Sequence, residues 1–171
     1  LVEDISKRIT KKYGVKSLGL VTDITSERKV SECCRNVSKK FGRIDVLINN
    51  AANNPKVESR KGRFNFSRLE KFGLKLWNKD LAVGLTGAFL CSKYFGQAIS
   101  HNPRGGTIIN ISSDLGLISP DQRLYRKERL FEDQQQVKPI SYSVIKTGLI
   151  GLTRYLATYW AEKKVRVNTL S

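Results

Sequence analysis

Residues 106–113 read Gly-Thr-Ile-Ile-Asn-Ile-Ser-Ser, and this short apolar run decides the fold class. Glycines at 105 and 106 open the run, and Ser112 and Ser113 close it. Short runs of this kind are typical of a strand that is buried within a parallel sheet. We therefore predict a buried parallel strand whose carboxyl end presents Ser113.

Strand and helix patterns alternate on both sides of this run. The predicted strands cover residues 15–24, 44–49, 106–113 and 165–170. The predicted helices cover residues 1–13, 26–41, 76–100 and 140–164, with Ser26 as an N-cap and Gly14 and Gly42 as helix ends. Polar stretches broken by Pro or Gly predict loops over residues 53–75, where a turn of helix is also expected, and over residues 114–140. The alternation predicts an α/β fold with a parallel sheet and right-handed crossovers.

The charge balance raises a competing class of function. The 171 residues include 31 Lys and Arg against 15 Asp and Glu, which gives a net charge of +16. Such a balance raises nucleic acid or an anionic surface as a candidate partner. Its support consists of basic runs over residues 7–12, 60–75 and 123–129, with the aromatic residues Phe64, Phe66, Phe72 and Trp77 interleaved in or beside the second run. The other interpretation, solvated helix faces with aromatic residues in the core, is the one that we favour.

Composition excludes several other classes. Hydrophobic residues make up 40% of the chain, which argues for a packed core and against disorder. No apolar run approaches the ~18 residues that a membrane span needs, and no signal peptide is recognisable. A single histidine, His101, and three cysteines argue against a zinc site. Since Cys33 and Cys34 are adjacent, we expect no disulfide framework and a cytoplasmic location.

Polar residues at strand ends are the candidates for chemistry, because ligands of parallel α/β sheets bind beyond the carboxyl ends of the strands. Tyr142 opens the helix after the strand that presents Ser113, and Lys146 follows one turn later on the same face. The spacing alone is a weak signal, since Tyr159 and Lys163 repeat it late in the same helix. We interpret that second pair as structural, because it lies far from any predicted strand end.

Motifs in a fixed order resemble those of the short-chain dehydrogenase/reductase family. They are Val21-Thr22-Asp23-Ile24, Leu47-Ile48-Asn49-Asn50-Ala51-Ala52, Ile109-Asn110-Ile111-Ser112-Ser113 and Tyr142-Ser143-Val144-Ile145-Lys146. Residues 165–171 are similar to the strand that leads to the Pro-Gly segment of the family. The resemblance covers essentially the whole chain. It implies a doubly wound, Rossmann-like parallel sheet that lacks the first two strands of the family and the last one, within a single partial dinucleotide-binding and catalytic domain over residues 1–171.

The resemblance also implies roles for individual residues. Tyr142 is similar to the general acid/base of alcohol–carbonyl interconversion, and Ser113 to the serine that aligns the reacting oxygen. Tyrosine, with an ordinary pKa near ~10, is a poor base at neutral pH, and a lysine ammonium one turn away favours the phenolate. Lys146 is similar to that lysine, which in the family also binds the nicotinamide ribose. The implied cofactor is NAD or NADP.

Further positions resemble those that contact the cofactor. Asp23 looks like the acidic residue of the adenine pocket, although a turn or helix-entry role before Thr25 is the alternative interpretation. The residues that would line the cofactor are Asn50, Ala51 and Ala52. Ala52 stands where the family usually has glycine, which puts a methyl group close to the cofactor.

Two features depart from the family pattern. Gly84 occupies the place of the asparagine of the proton relay, so that water or another side chain would substitute, or the chain would be a non-catalytic relative. Residues 114–140 form a longer insert with an acidic pair and Pro before Tyr142, similar to the nucleotide-sugar branch. We interpret it as a substrate-facing loop that points to a sugar or nucleotide-sugar, in the style of polysaccharide or flagellin glycan biosynthesis. A decorative surface insertion is the alternative.

The ends of the chain suggest an internal fragment, since it starts within a helix pattern and has no initiator Met. No G-x-G-x-x-G stands between a strand and a helix in these 171 residues. We therefore expect that the isolated chain binds a dinucleotide poorly, folds incompletely and is inactive alone. The partners that we expect are a small-molecule substrate and, by resemblance, further copies of the chain in a dimer or tetramer, with no nucleic acid and no membrane.

Overall fold

The computed structural model describes residues 1–53 and 67–171, and its elements follow the predicted alternation. The helices are α1 (Val2–Tyr13), α2 (Glu27–Phe41), α3 (Leu74–Leu81), α4 (Gly87–Cys91), α5 (Gln97–Ser100) and α6 (Ile140–Tyr159). The strands are β1 (Val46–Asn49), β2 (Gly106–Ile111) and β3 (Val165–Leu170). Short 3-10 turns occur at Leu69–Lys71, Asp114–Gly116, Gln122–Tyr125, Glu132–Gln134 and Ala161–Lys163.

Three of these helices form one continuous rod. The π-helical turns Ala82–Thr86 and Ser92–Gly96 join α3, α4 and α5 into a long helix over residues 74–100, which confirms the predicted helix. Helices α1 and α2 end at Gly14 and Gly42 as predicted, and Ser26 is the N-cap of α2 by position without a side-chain capping bond. Within the described residues, none of these helices combines the length and apolar character that crossing a bilayer requires.

The sheet is parallel and has the order β1-β2-β3. The long helix connects β1 to β2, and α6 connects β2 to β3, so each crossover brings a helix onto the sheet. The register places Asn49 opposite Asn110, and Asn110 opposite Thr169. This arrangement confirms a partial Rossmann-like α/β sheet and puts three polar side chains in one row near the carboxyl ends of the strands.

The core lies between one face of this sheet and its helices. Ile108 of β2 and Ile99 of α5 are fully buried there, together with Trp160 after α6. Complete burial of such a side chain stabilises the fold by roughly 1.5–3 kcal/mol. The opposite face of the sheet is exposed at Val46 and Ile48 of β1. The sheet is therefore covered by described residues mainly on one side.

The strand predicted over residues 15–24 is wrong, because this segment forms no ladder with any described strand. A β-strand needs a neighbour to satisfy its backbone hydrogen bonds. The resemblance implies that two strands of the family are absent from this chain, and the ladder of β1 is formed with β2. Without an adjacent strand, residues 15–24 run as irregular chain and a turn. The helical turn that was expected within the predicted loop over residues 53–75 is found at Leu69–Lys71.

Candidate active site

A buried polar network forms the floor of the site at the row of strand-end residues. Asn110 is fully buried; its Oδ1 accepts from Asn49 Nδ2 at 2.8 Å, and its Nδ2 donates to Thr153 Oγ1 at 2.8 Å. Asn49 Nδ2 also donates to Ser92 Oγ at 3.0 Å, and Thr169 donates to Thr153 at 2.7 Å. Since unsatisfied buried polar groups are costly, this network fixes the strands, the long helix and α6 in one register. The sequence signal for this network was Asn110, a polar residue inside an apolar strand. Sequence reasoning did not predict that Asn110 forms a buried network.

Tyr142 and Lys146 lie in the first turns of α6, as predicted. Lys146 is only 5% exposed, and its Nζ donates to the carbonyl oxygen of Ile111, the last residue of β2, at 2.7 Å. The same Nζ lies 5.6 Å from the centre of the Tyr142 ring. Burial lowers the pKa of Lys146, and the positive charge of Lys138 lowers it further. The end of β2 therefore holds this ammonium beside the tyrosine.

Ser113 lies directly beyond β2 and shares its proton with an acidic neighbour. Its hydroxyl donates to Asp114 Oδ1 at 2.6 Å, and its Oγ accepts from the Leu115 N–H at 3.3 Å. The Ser113 hydroxyl and then the Leu115 N–H lower the pKa of the Asp114 carboxyl. A substrate oxygen that accepts a hydrogen bond from Ser113 must therefore displace Asp114 as the acceptor of that hydroxyl. Sequence reasoning did not assign a role to Asp114.

Ser112 ties the same turn to α6. Its buried hydroxyl donates to the carbonyl oxygen of Lys146 at 2.8 Å, which is a structural contact. A Cβ at Gly116 would lie 2.7 Å from Ser112 Oγ and 2.9 Å from the carbonyl carbon of Lys146. Glycine is therefore required for the turn after β2 to approach the helix this closely. The approach sets the position of Ser113 relative to α6.

Lys138, immediately before the N-cap Pro139 of α6, is a second lysine beside the tyrosine. Its Nζ lies 3.8 Å from the centre of the Tyr142 ring. Burial lowers the pKa of Lys138, and the charge of Asp114 partly offsets that effect. Two ammonium groups thus face one tyrosine ring. Lys138 lies four residues before Tyr142, but it precedes the helix, and sequence reasoning did not assign a role to it.

Gly84 lies buried in the first π-helical turn and permits close packing of the long helix on α6. A Cβ at this position would lie 2.7 Å from Ile145 Cγ2. One turn earlier, buried Asp80 accepts the Ser141 hydroxyl at 2.7 Å, which fastens the two helices at the start of α6. An asparagine at 84 does not fit unless Ile145 moves. At this position the resemblance predicts the relay asparagine, and the packing against Ile145 is a steric reason against such a side chain.

Two of the residues predicted to contact the cofactor line a groove beside β1, which has a cavity volume of ≈ 180 Å³. Asn50 and Ala51 line it together with Thr22, which precedes Asp23. Ala52 is exposed. The Asp23 carboxylate accepts the Thr25 hydroxyl at 2.7 Å and the Thr25 N–H at 3.0 Å, and these bonds lower its pKa. This is the predicted turn contact, whereas the cofactor contact of Asp23 stays a prediction.

The second tyrosine–lysine pair lies at the other end of α6. Tyr159 is the last residue of that helix and is 64% exposed; it stacks on Tyr155 with ring centres 5.8 Å apart. Lys163 lies in the 3-10 turn that follows. This position agrees with the structural interpretation of the pair. Across residues 1–53 and 67–171, no three His, Cys, Asp or Glu side chains are grouped so as to hold a metal ion.

Comparisons with known proteins identify relatives of this chain. Residues 2–171 match the profile of the Enoyl-(Acyl carrier protein) reductase family. The D-threitol dehydrogenase of Mycolicibacterium smegmatis is 28% identical over 153 residues, which cover 90% of this chain and 48% of that protein.

Solved structures give the same result. The sorbitol-6-phosphate 2-dehydrogenase of Erwinia amylovora is 27% identical with a TM-score of 0.77, and the match covers 98% of this chain and 56% of that one. An NAD+-bound xylitol dehydrogenase is 25% identical with a TM-score of 0.78, covering 99% of this chain and 55% of that one. The chain spans about half the length of these relatives.

Proposed function

Because the chain belongs to the short-chain dehydrogenase/reductase family, whose match covers residues 2–171, we propose that the protein interconverts an alcohol and a carbonyl with NAD or NADP. One observation carries the proposal. The ammonium of Lys146 is held by β2 and lies 5.6 Å from the ring of Tyr142, at the edge of a parallel sheet where ligands bind. The similarity to D-threitol and xylitol dehydrogenases supports an alcohol of the polyol type.

The side chains divide the reaction between them. When bound, the nicotinamide supplies or accepts the hydride. Tyr142 gives a proton to, or takes it from, the substrate oxygen, and the Lys146 charge stabilises its phenolate. Ser113 turns its hydroxyl from Asp114 to that oxygen and stabilises the charge that develops there. Because Gly84 carries no side chain, water or another side chain completes the proton relay.

The described residues include groups that would hold part of a dinucleotide. Lys146 uses one N–H for Ile111, so that two donors remain for ribose hydroxyls. Asn50 and Ala51 line the groove beside β1, and the segment around Asp23 forms its opposite wall. Ala52 and Asp23 are proposed to contact the cofactor at the ends of this groove. We propose that residues 1–171 form a single partial dinucleotide-binding and catalytic domain.

The finer substrate proposal is a sugar or nucleotide-sugar, as in polysaccharide or flagellin glycan biosynthesis. Its support is the insert over residues 114–140, which is anchored to the start of the long-helix region. Arg68 donates to the Glu132 carbonyl oxygen at 2.8 Å. The insert is thus tied at Glu132 to the segment that precedes the long helix, and we propose that it faces the substrate.

Assembly and compartment are proposed on surface features. Phe89 of α4 and Val144 and Tyr155 of α6 are exposed apolar side chains on helices that the family pairs between subunits, which supports a dimer or tetramer. The three cysteines, Cys33, Cys34 and Cys91, are free thiols, which supports a reducing cytosol.

The nucleic-acid alternative is weakened by pairing within the third basic run. Arg123 is bound to Asp121 at 2.8 Å, and Arg126 to Glu132 at 2.5 Å. Phe72 is half-buried, as is Trp77 of α3, whereas Phe64 and Phe66 lie outside the described residues.

A non-catalytic relative of the family, suggested by Gly84, is the remaining alternative. Measurements of activity distinguish it from an enzyme.

The test is oxidation of polyols by the intact protein, followed through the absorbance of NADH or NADPH. We expect activity that Tyr142→Phe reduces by about 10²–10⁴-fold, because general acid/base catalysis contributes that much. Tyr159→Phe is the matched control, since it removes the hydroxyl of the second pair, and we expect it to retain full activity. Equal losses in the two variants, or no turnover with either cofactor, would refute the proposal.

A further inference from the structure

A cavity of ≈ 370 Å³ lies at the start of α6, next to the turn that carries Tyr142. It is bounded on one side by Ser67 to Glu70 and on the other by the insert and the start of α6. Its apolar walls are Leu69, Pro120, Val137, Pro139 and Ile140. Lys138 lines this cavity and also lies over the Tyr142 ring, so the cavity and the tyrosine share one side chain.

The backbone fixes Lys138 in this position. The proline that follows it restricts Lys138 to an extended conformation. Its N–H donates to Gln122 Oε1 at 2.8 Å, and the preceding N–H of Val137 donates to Ser67 Oγ at 3.3 Å. Both partners belong to the cavity wall. Lys138 is therefore held before any ligand binds.

The two basic residues of the cavity differ in their partners. Arg68 forms salt bridges with Glu70 at 3.4 Å and Glu132 at 3.8 Å, which occupy its charge. Within residues 1–53 and 67–171, none of the salt bridges involves Lys138. Its ammonium lies against the Tyr142 ring among largely apolar walls, where an ion pair is stronger than in water. Among the described residues, the cavity thus presents one cation without a salt bridge, beside the Tyr142 ring, that an anionic ligand can pair with.

We propose that Lys138 binds an anionic group of the substrate, a phosphate or a carboxylate, a few carbons away from the carbon that reacts at Tyr142. The proposal rests on the proposed function and adds the class of substrate to it. The apolar walls pack against the carbon chain between the two ends. Lys138 is then a specificity residue, and Lys146 remains the lysine that acts on the tyrosine.

The first experiment measures binding and does not depend on turnover. Calorimetry on the intact protein compares D-sorbitol, D-gluconate and D-sorbitol 6-phosphate, which share a six-carbon chain and differ in charge. We expect both anions to bind at least tenfold more tightly than the neutral polyol. Lys138→Met, which keeps an unbranched side chain over the ring, abolishes that preference, and Lys138→Arg retains most of it.

The second experiment measures steady-state kinetics with the same three compounds. Loss of a charge-assisted hydrogen bond predicts that Lys138→Met lowers kcat/KM for the anionic substrates about 10–100-fold more than for sorbitol, mainly through KM. Lys39→Met is the matched control, because it removes one positive charge from an exposed position on α2. We expect this variant to behave like the wild-type protein.

The outcomes separate this inference from the proposed function. Anion binding that Lys138→Met abolishes, without turnover of any compound, supports the inference and refutes the proposed reaction. Turnover with equal preference for neutral and anionic compounds overturns the inference alone. Equal losses for all three compounds in Lys138→Met also overturn it, because they assign Lys138 a purely structural contact with Tyr142.

Discussion

The part of the molecule formed by β2, β3 and α6 is its closed side, because its central side chains are buried among described residues. The part formed by β1 and residues 15–24 is its open side, because many of its side chains are exposed. On the closed side, Asn110 is 0% exposed and every polar atom of its side chain has a partner. On the open side, Ile48 is 57% exposed and Val21 is 91% exposed. The residues proposed for proton transfer belong to the closed side, and most of those proposed for the dinucleotide belong to the open side.

The difference shows that the two halves of one proposed site are held in different ways. Tyr142 and Lys146 are positioned by contacts between elements of this chain, such as the bond from Lys146 to Ile111. Asn50 and Ala51 follow a strand whose other edge carries no ladder in the described sheet. The proton-transfer geometry is therefore preorganised by described contacts, and the dinucleotide geometry is only partly so.

The largest expected effect concerns the open side. The 171-residue chain has no G-x-G-x-x-G turn, and Asn50, Ala51 and Ala52 are exposed. Calorimetry with NAD and with NADP should give dissociation constants weaker than ~1 mM, about a thousandfold short of a micromolar site. Micromolar binding of either dinucleotide to this chain would show that the open side is complete as it stands.

Truncating one isoleucine on each side tests whether the closed side contributes more to the free energy of unfolding than the open side. Ile108→Ala leaves a cavity in the closed core and should lower the free energy of unfolding by roughly 2–5 kcal/mol. Ile48→Ala removes the same atoms from the exposed face of β1 and should change it by less than ~1 kcal/mol. Urea unfolding of the 171-residue chain, followed by the fluorescence of Trp77 and buried Trp160, measures both, and the absence of a cooperative transition would confirm the expected incomplete folding. Similar losses would contradict the assignment of β1 to an open side.

The closed side was also the side that sequence could predict best. Apolar periodicity gave the long helix, α6 and the strands β2 and β3, because each of these buries one face on the others. The pairing of Tyr142 with Lys146 followed from helical spacing and from the position of α6 after β2. The local sequence pattern is sufficient to predict a helix or strand where the elements that it packs against lie within the same chain.

Sequence failed where the outcome depends on a neighbour in space. Residues 15–24 carry a strand pattern, but a strand forms only against another strand, and pattern alone does not show whether one is adjacent. The position of Lys138 over the Tyr142 ring depends on how Val137 and Lys138 are held by residues far away in the sequence. No spacing rule encodes such a position, since it is set by Pro139, Gln122 and Ser67 together.

The smallest expected effect concerns Gly84 and tests how tightly the closed side is packed. Gly84→Asn places a side chain against Ile145, where a Cβ alone would lie 2.7 Å from Cγ2, and overpacking of this kind costs about 1–3 kcal/mol. We expect Tm to fall by roughly 2–10 °C in a thermal scan of the intact protein. Gly73→Asn makes the same change at the N-cap of α3, where no atom lies within 4 Å of the new Cβ and asparagine is a favoured cap. This control should leave Tm unchanged or raise it. If the two variants were equally stable, the long helix and α6 would have room for an asparagine at position 84. In that case, the steric reason for the missing relay residue would be wrong.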